Sequence, residues 1–283
     1  MSGVSGSSRH ARTKKEFEMT RVLGFAILVL GLAAPAAADL TLKQTVSGKG
    51  FGVNGQTTST TYIKGNRMRS ETQVGDKTQI TIFDLDGQKM YIFDSKKKEA
   101  DVWDMASFAA ELSKSVDASA MKASIKPNGQ TKQIAGQTAT GYDLDISMPA
   151  TMAGSKDLSM LVTMTGPTWI VKNAPGTSDY LNFYKAAAEK GWVLSDPRAA
   201  KASPGPARAM TEMYKQLTEA GGIAYETDIQ IKMSSNDAGN PLGGILARMG
   251  NMSTAATMQS VETGALADDL FAAPAGYKLN QKK

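Results

Sequence analysis

Between Thr41 and Asp104 apolar or aromatic residues alternate with polar ones in short segments, and each segment ends in turn-forming residues. Successive side chains of a strand point to opposite faces, so this period of two commits the region to an antiparallel meander. The expected strands are Leu40–Gly48, Gln56–Lys64, Arg67–Val74, Lys77–Asp84, Lys89–Ser95 and Glu99–Asp104. Gly65-Asn66 and Asp86-Gly87 are the expected hairpin turns, because Gly and Asn tolerate positive φ. Ile80 and Ile82 share one face, whereas Met90–Phe93 is apolar on both, which places that strand inside the sheet.

Helical composition follows over Met105–Met121, with Phe108, Leu112, Val116 and Met121 as a loose apolar stripe. Strand signals return in a hairpin around Gly136 (Lys132–Gln137 with Thr140–Ser147) and in a strand pair, Ser159–Thr165 and Thr168–Lys172, turning at Gly166-Pro167. Thr177–Lys190 reads as an amphipathic helix with Tyr180, Leu181, Tyr184 and Ala188 on one face, capped by Thr177 or Ser178 and stopped at Gly191. The three prolines between Asp196 and Pro206 suggest a mobile linker or lid hinge. A further helix, Ala207–Ala220, ends at Gly221-Gly222. In Ile223–Met233 the odd-numbered residues are apolar apart from Thr227, so all of them are expected on one face. Asn236–Met252 is expected to be a loop, Thr254–Glu262 a last strand, and Leu270–Leu279 a closing segment.

The N-terminus has the pattern of an export signal. Met19-Thr20-Arg21 precedes an apolar run from Val22 to Ala34, then Pro35-Ala36-Ala37-Ala38-Asp39, which predicts cleavage between Ala38 and Asp39. The run is shorter than the roughly 20 apolar residues of a spanning helix. Residues 1–38 are therefore expected to be an N-terminal extension and signal, and residues 39–283 a single β-rich domain in the periplasm. Membrane contact is expected only through the signal. The chain has no cysteine, which excludes both lipidation at a lipobox and disulfides. Without the first 38 residues, 27 basic residues face 25 acidic ones, near +2, and no basic stripe with interleaved aromatics appears, so nucleic acid is not an expected partner.

The chemistry-bearing motifs are sparse. His10, the only histidine, lies in the segment expected to be removed, so histidine-based catalysis and His-ligated zinc are unavailable to the rest. Gly50–Gly55 spells G-x-G-x-x-G but precedes Thr-rich strand sequence rather than opening a helix, and is expected to be a hairpin loop. Ser95/Lys98 and Ser119/Lys122 match S-x-x-K without accompanying motifs. The carboxylate pairs Asp143/Asp145 and Asp84/Asp86 are expected on solvated faces. These are the residues that a carboxylate- or Ser/Lys-dependent hydrolase would use, but no catalytic residue, metal or cofactor is expected. Fourteen methionines follow Met19, several in close pairs such as Met160/Met164 and Met210/Met213, which suits core packing, an adaptable apolar pocket or soft Cu(I) ligation.

The runs Tyr62-Ile63-Lys64-Gly65-Asn66-Arg67-Met68-Arg69, Thr81-Ile82-Phe83-Asp84 and Met90-Tyr91-Ile92-Phe93-Asp94, with the closing Phe271-Ala272-Ala273-Pro274-Ala275-Gly276-Tyr277, resemble a family of exported bacterial proteins of unknown function. That family is similar to the periplasmic lipoprotein carriers, which bind acyl chains beneath a lid. The resemblance implies an α+β, mainly β fold: a curved antiparallel sheet, an open or half barrel, with helices across its concave face. A non-enzymatic protein holding a lipid or other apolar small molecule between sheet and helices is the expected function, with Met210, Met213, Tyr214, Leu217, Tyr180 and Tyr184 as pocket candidates. The alternative is an envelope protein-interaction module with a filled core.

Overall fold

Turn chemistry and alternation set the first half of the fold. In the computed structural model, which describes residues 39–49, 55–114, 120–151, 159–202, 204–235 and 252–282, six consecutive strands form an antiparallel meander. They are β1 (Leu40–Lys49), β2 (Gly55–Lys64), β3 (Arg67–Val74), β4 (Lys77–Asp84), β5 (Lys89–Asp94) and β6 (Glu99–Asp104). Gly65 takes a φ of 55° at the β2–β3 turn, and Asp84 closes the β4–β5 turn by accepting from the Gly87 amide at 2.9 Å. Asp104 caps the following helix α1 (Met105–Ser113) through the Ser107 amide. This helix is shorter than expected: its buried stripe is Met105, Phe108 and Leu112, Val116 lies outside the described residues, and Met121 precedes a strand.

The second half is another meander: β7 (Lys122–Ile134), β8 (Gln137–Thr151), β9 (Ser159–Val171), β10 (Ile223–Ser235) and β11 (Met252–Thr263). Ala135 and Gly136, both at positive φ, make the β7–β8 turn. The expected turn at Gly166-Pro167 does not form, because β9 runs through it in register with β8, pairing Gly166 with Leu144 and Pro167 with Asp143. The single-face reading of β10 also needs correction. A register shift between Ala224 and Glu226 bulges the strand at Tyr225, so Ile223 and Tyr225 join one core cluster while Ala224, Ile229 and Ile231 join another.

Pairing of β1 with β11 joins the halves into one sheet of order β12-β6-β5-β4-β3-β2-β1-β11-β10-β9-β8-β7. Its twelve strands exceed a half barrel, and it is open, with β12 (Lys278–Lys282) and β7 at its edges. It is also not wholly antiparallel, since β12 pairs parallel with β6. Residues Ala37–Lys283 form one compact unit. The residues 1–38 assigned to extension and signal, including the Ala38 side of the expected cleavage point, lie outside the described residues. Asp39 is the first described residue, and its carboxylate accepts from the Leu266 amide at 2.7 Å.

Two helices matter for the site, α2 (Thr177–Glu189) and α4 (Pro204–Ala220). Neither Thr177 nor Ser178 caps α2. Gly176, at a φ of 71°, is its N-cap, and the Thr177 hydroxyl donates back to the Ala174 carbonyl at 2.7 Å. The buried face of α2 is Tyr180, Phe183, Tyr184 and Ala187, rotated from the expected stripe, so Leu181 and Ala188 instead line a groove between α2 and α4. The Pro-rich stretch is helical rather than a hinge. Pro197 opens the short helix α3 (Pro197–Ala202), and Pro204 and Pro206 are buried in the first turn of α4, where missing amides cost nothing because first-turn N–H groups have no intrahelical acceptor.

The outer face of the first meander is covered by the C-terminal segment. Ile82, Phe93 and Ala100 cluster there with Ile80, Tyr91 and Tyr277. The basic residues of the Lys64–Arg69 run hold the segment: Arg67 bonds Asp268 at 2.6 Å and lies 5.2 Å over the Phe271 ring, Arg69 donates to the Leu270 carbonyl, and Lys64 donates to the Leu266 carbonyl.

Candidate functional site

Helices α2 and α4 lie on the same side of the sheet and roof a cavity of about 560 Å³, within the range of about 300–1,000 Å³ of small-molecule sites. Its walls draw on seven adjacent strands, from Met90 on β5 to Ile229 on β10. At about 4.8 Å per strand a flat sheet would spread these over roughly 29 Å. One cavity of this size is therefore lined by all seven only because the sheet curls around the helices.

All six pocket candidates are brought together here. Tyr180 and Tyr184 come from α2, and Met210, Met213, Tyr214 and Leu217 from α4. The tyrosine rings pack directly, with Tyr180 and Tyr184 centroids 4.5 Å apart and Tyr184 and Tyr214 stacked at 5.0 Å. None of the three hydroxyls has a hydrogen-bond partner among the described residues. Burial holds all three phenols above their usual pKa near 10, and their mutual proximity adds to this for Tyr180 and Tyr184. The unfolded chain releases these protons near pH 10, the folded chain only higher, so above that value the unfolded state binds fewer protons and stability falls as pH rises. The urea midpoint is accordingly expected to drop between about pH 9 and about pH 11, with a shallower drop in a Tyr180→Phe/Tyr184→Phe variant. Equal slopes in the two proteins would contradict this assignment.

The opposite wall escapes a reading based on apolar periodicity. Neighbouring strands align the residues of this face in rows across the sheet. One row, Leu40, Ile63, Met68 and Phe83, is apolar and buried, and its Met68 and Phe83 reach the cavity. The next is Leu42, Thr61, Ser70 and Thr81, and the third is Gln44, Ser59, Thr72 and Gln79. Ser59 is buried like Thr61 and Thr81, but its row-mates Gln44 and Thr72 are half-buried and Gln79 is exposed, so the third row carries the cavity toward solvent. Ser59 and Thr72 share a hydrogen bond at 3.1 Å, whereas the side chains of Thr61, Ser70, Thr81, Gln44 and Gln79 have no such partner among the described residues. Among the described residues, Asp196 is the one ionisable group on the wall other than the tyrosines. Burial disfavours its charge, yet hydrogen bonds from the Arg198 side chain (2.5–3.1 Å) and backbone outweigh this and hold its pKa below the usual carboxylate value.

The remaining motifs lie elsewhere. Gly55 of the G-x-G-x-x-G run opens β2 directly after the β1 strand, so the run joins two strands of a hairpin; its first five residues are outside the described ones. Ser95 is exposed in the β5–β6 turn and Lys98 sits there at a φ of 50°; Ser119 is not among the described residues, and Lys122 begins β7. Asp143 and Asp145 are exposed on β8, and Asp143 accepts from Asn128 at 3.1 Å. Asp84 and Asp86 serve the adjoining turns, Asp86 by accepting from Asn66 at 2.9 Å. Met148, Met160, Met164, Met213 and Met252 pack together in the second core cluster, under α4.

No family model and no curated relative matches this sequence. Among solved structures, PNGF-II is similar with a TM-score of 0.34 and 12% identity, covering 86% of this chain and 31% of that one, so this chain spans about a third of that protein. A putative outer membrane lipoprotein-sorting protein domain from Vibrio parahaemolyticus is similar with a TM-score of 0.27 and 8% identity, covering 83% of this chain and 90% of that one. Neither likeness is close enough to carry an argument about function.

Proposed function

We propose that this chain is a non-enzymatic, exported periplasmic protein that binds an apolar or lipidic ligand between the curved sheet and helices α2 and α4. The observation that carries the reading is the cavity of about 560 Å³ whose roof is built from Met210, Met213, Leu217 and three tyrosines. Methionine is unbranched and polarisable, so such a roof adapts to ligands of varied shape, and an apolar ligand gains by leaving water for the apolar part of the lining. Export rests on the Val22–Ala34 apolar run and the Ala-x-Ala pattern ending at Ala38.

The neutral probe N-phenyl-1-naphthylamine is expected to bind saturably at one site, and Leu217→Trp, which intrudes on the cavity from the roof, is expected to weaken that binding about tenfold. Native mass spectrometry of protein purified from the periplasm should carry the added mass of a ligand. Absence of saturable binding, or equal affinity in a Leu217→Trp variant with an unchanged melting transition, would overturn the reading.

A further inference from the structure

The graded sheet wall points to the class of ligand. We infer that the cavity takes an amphiphile with an uncharged, hydrogen-bonding head, its tail against Met68, Phe83 and the apolar roof residues Met213 and Leu217 and its head against the Ser, Thr and Gln rows near the mouth. This rests on the proposed binding function and deepens it. A wall meant for a purely apolar ligand would have no use for Thr61, Ser70 and Thr81, whose hydroxyls no described residue engages. These hydroxyls open onto the cavity, and an apolar ligand that filled it would cut them off from water without a partner, at a cost in free energy, whereas a ligand hydroxyl or amide supplies the partner. The order of the rows sets the polarity. Met68 and Phe83 are buried at one end, while at the other Gln44 and Thr72 are half-buried and Gln79 is exposed. An amphiphile therefore leaves its head nearest to water only when its tail enters first.

Charge selects the head. Among the described residues lining the cavity there is no lysine, arginine or histidine. The carboxylate of Asp196 is already clamped by Arg198. A phosphate or carboxylate head would enter a partly desolvated site without a balancing cation and beside that carboxylate, and a cationic head would find the one acid taken. Neutral hydroxyl and amide groups meet neither cost.

The test displaces N-phenyl-1-naphthylamine from the purified chain with three amphiphiles that share a twelve-carbon chain and are kept below micellar concentrations: monododecanoylglycerol, dodecanoate and dodecyltrimethylammonium. The monoglyceride is expected to bind at least about tenfold more tightly than either ion. In a Ser70→Ala/Thr81→Val variant its affinity is expected to fall about tenfold, while that of the naphthylamine, which needs no hydrogen bond from the wall and reports an intact fold, does not fall. Dodecanoate or dodecyltrimethylammonium binding as tightly as the monoglyceride overturns the inference, as does a variant with unaltered monoglyceride affinity. If the naphthylamine binds but none of the three displaces it, the amphiphile assignment falls and the apolar-ligand reading stands. If the naphthylamine itself does not bind, both fall.

Discussion

A Gly166→Ala variant is expected to lose about 3 kcal/mol or more of stability, seen as a lower urea midpoint. Gly166 has a φ of 154°, and a Cβ at this position would sit 1.9 Å from the Asp228 carbonyl oxygen and 3.2 Å from the Ile229 Cα. These are backbone atoms of the neighbouring strand, so no rotamer change relieves the clash. The β9 and β10 backbones have to separate, and the strain spreads to Ile229 and Ile231, which are buried in the second core cluster. Gly264→Ala is the control, because nothing lies within 4 Å of the added methyl, and its effect is expected within about 0.5 kcal/mol. A Gly166→Ala midpoint equal to the control would show that β9 and β10 do not approach this closely in solution.

The same glycine shows why part of the fold was illegible. Gly-Pro is among the strongest turn signals, and a proline inside a sheet removes a ladder donor. Here the ladder to β10 is interrupted at Gly166 and Pro167 while pairing with β8 continues, a tolerance created by the two neighbouring strands and absent from the local sequence. The bulge at Tyr225 belongs to the same class, as does the parallel docking of β12, a five-residue strand whose partner is over 170 positions earlier. The first meander was legible because Gly65 and Asp84 settle its turns locally and its alternation survives in the folded sheet. Pro204 and Pro206 misled in the opposite sense, since proline marks a break in composition but suits the first turn of a helix.

The site divides along a similar line. Its helical roof could be read, because a Met and Tyr stripe at helical spacing signals burial against something. Its sheet wall could not, since alternating Thr and Ser look like a solvated face to any argument that seeks apolar periodicity. A usable signal was present in the choice of polar residue: the inward positions Thr57, Ser59 and Thr61 carry short uncharged side chains, and so do Ser70 and Thr72, whereas Arg67, Arg69 and Glu71 occupy the outward positions between them. A solvated face has no need to avoid Lys and Glu at every second residue over adjoining strands. A partly desolvated cavity does.

Phe183→Ala is expected to cost about 3–5 kcal/mol, a fall in melting temperature of roughly 6–20 °C for a unit of this size. The Phe183 ring is fully buried and packs edge-on against Tyr184 at 5.6 Å, in the cluster that also holds Leu40, Ile63 and Met68 of the sheet. It stands behind the cavity and fixes α2 to the strands. Truncation leaves a hole that the sheet cannot close, because the neighbouring Leu40 and Ile63 already sit in the continuous β1–β2 ladder. Phe183→Leu retains most of the volume and is expected to lose less than half as much. Tyr184 stacks on Tyr214 and takes its position from Phe183, so naphthylamine affinity is expected to fall in Phe183→Ala even at temperatures where the variant remains folded. A loss below about 1 kcal/mol, or unchanged probe affinity in the folded variant, would mean that the roof of the cavity is positioned by α4 alone.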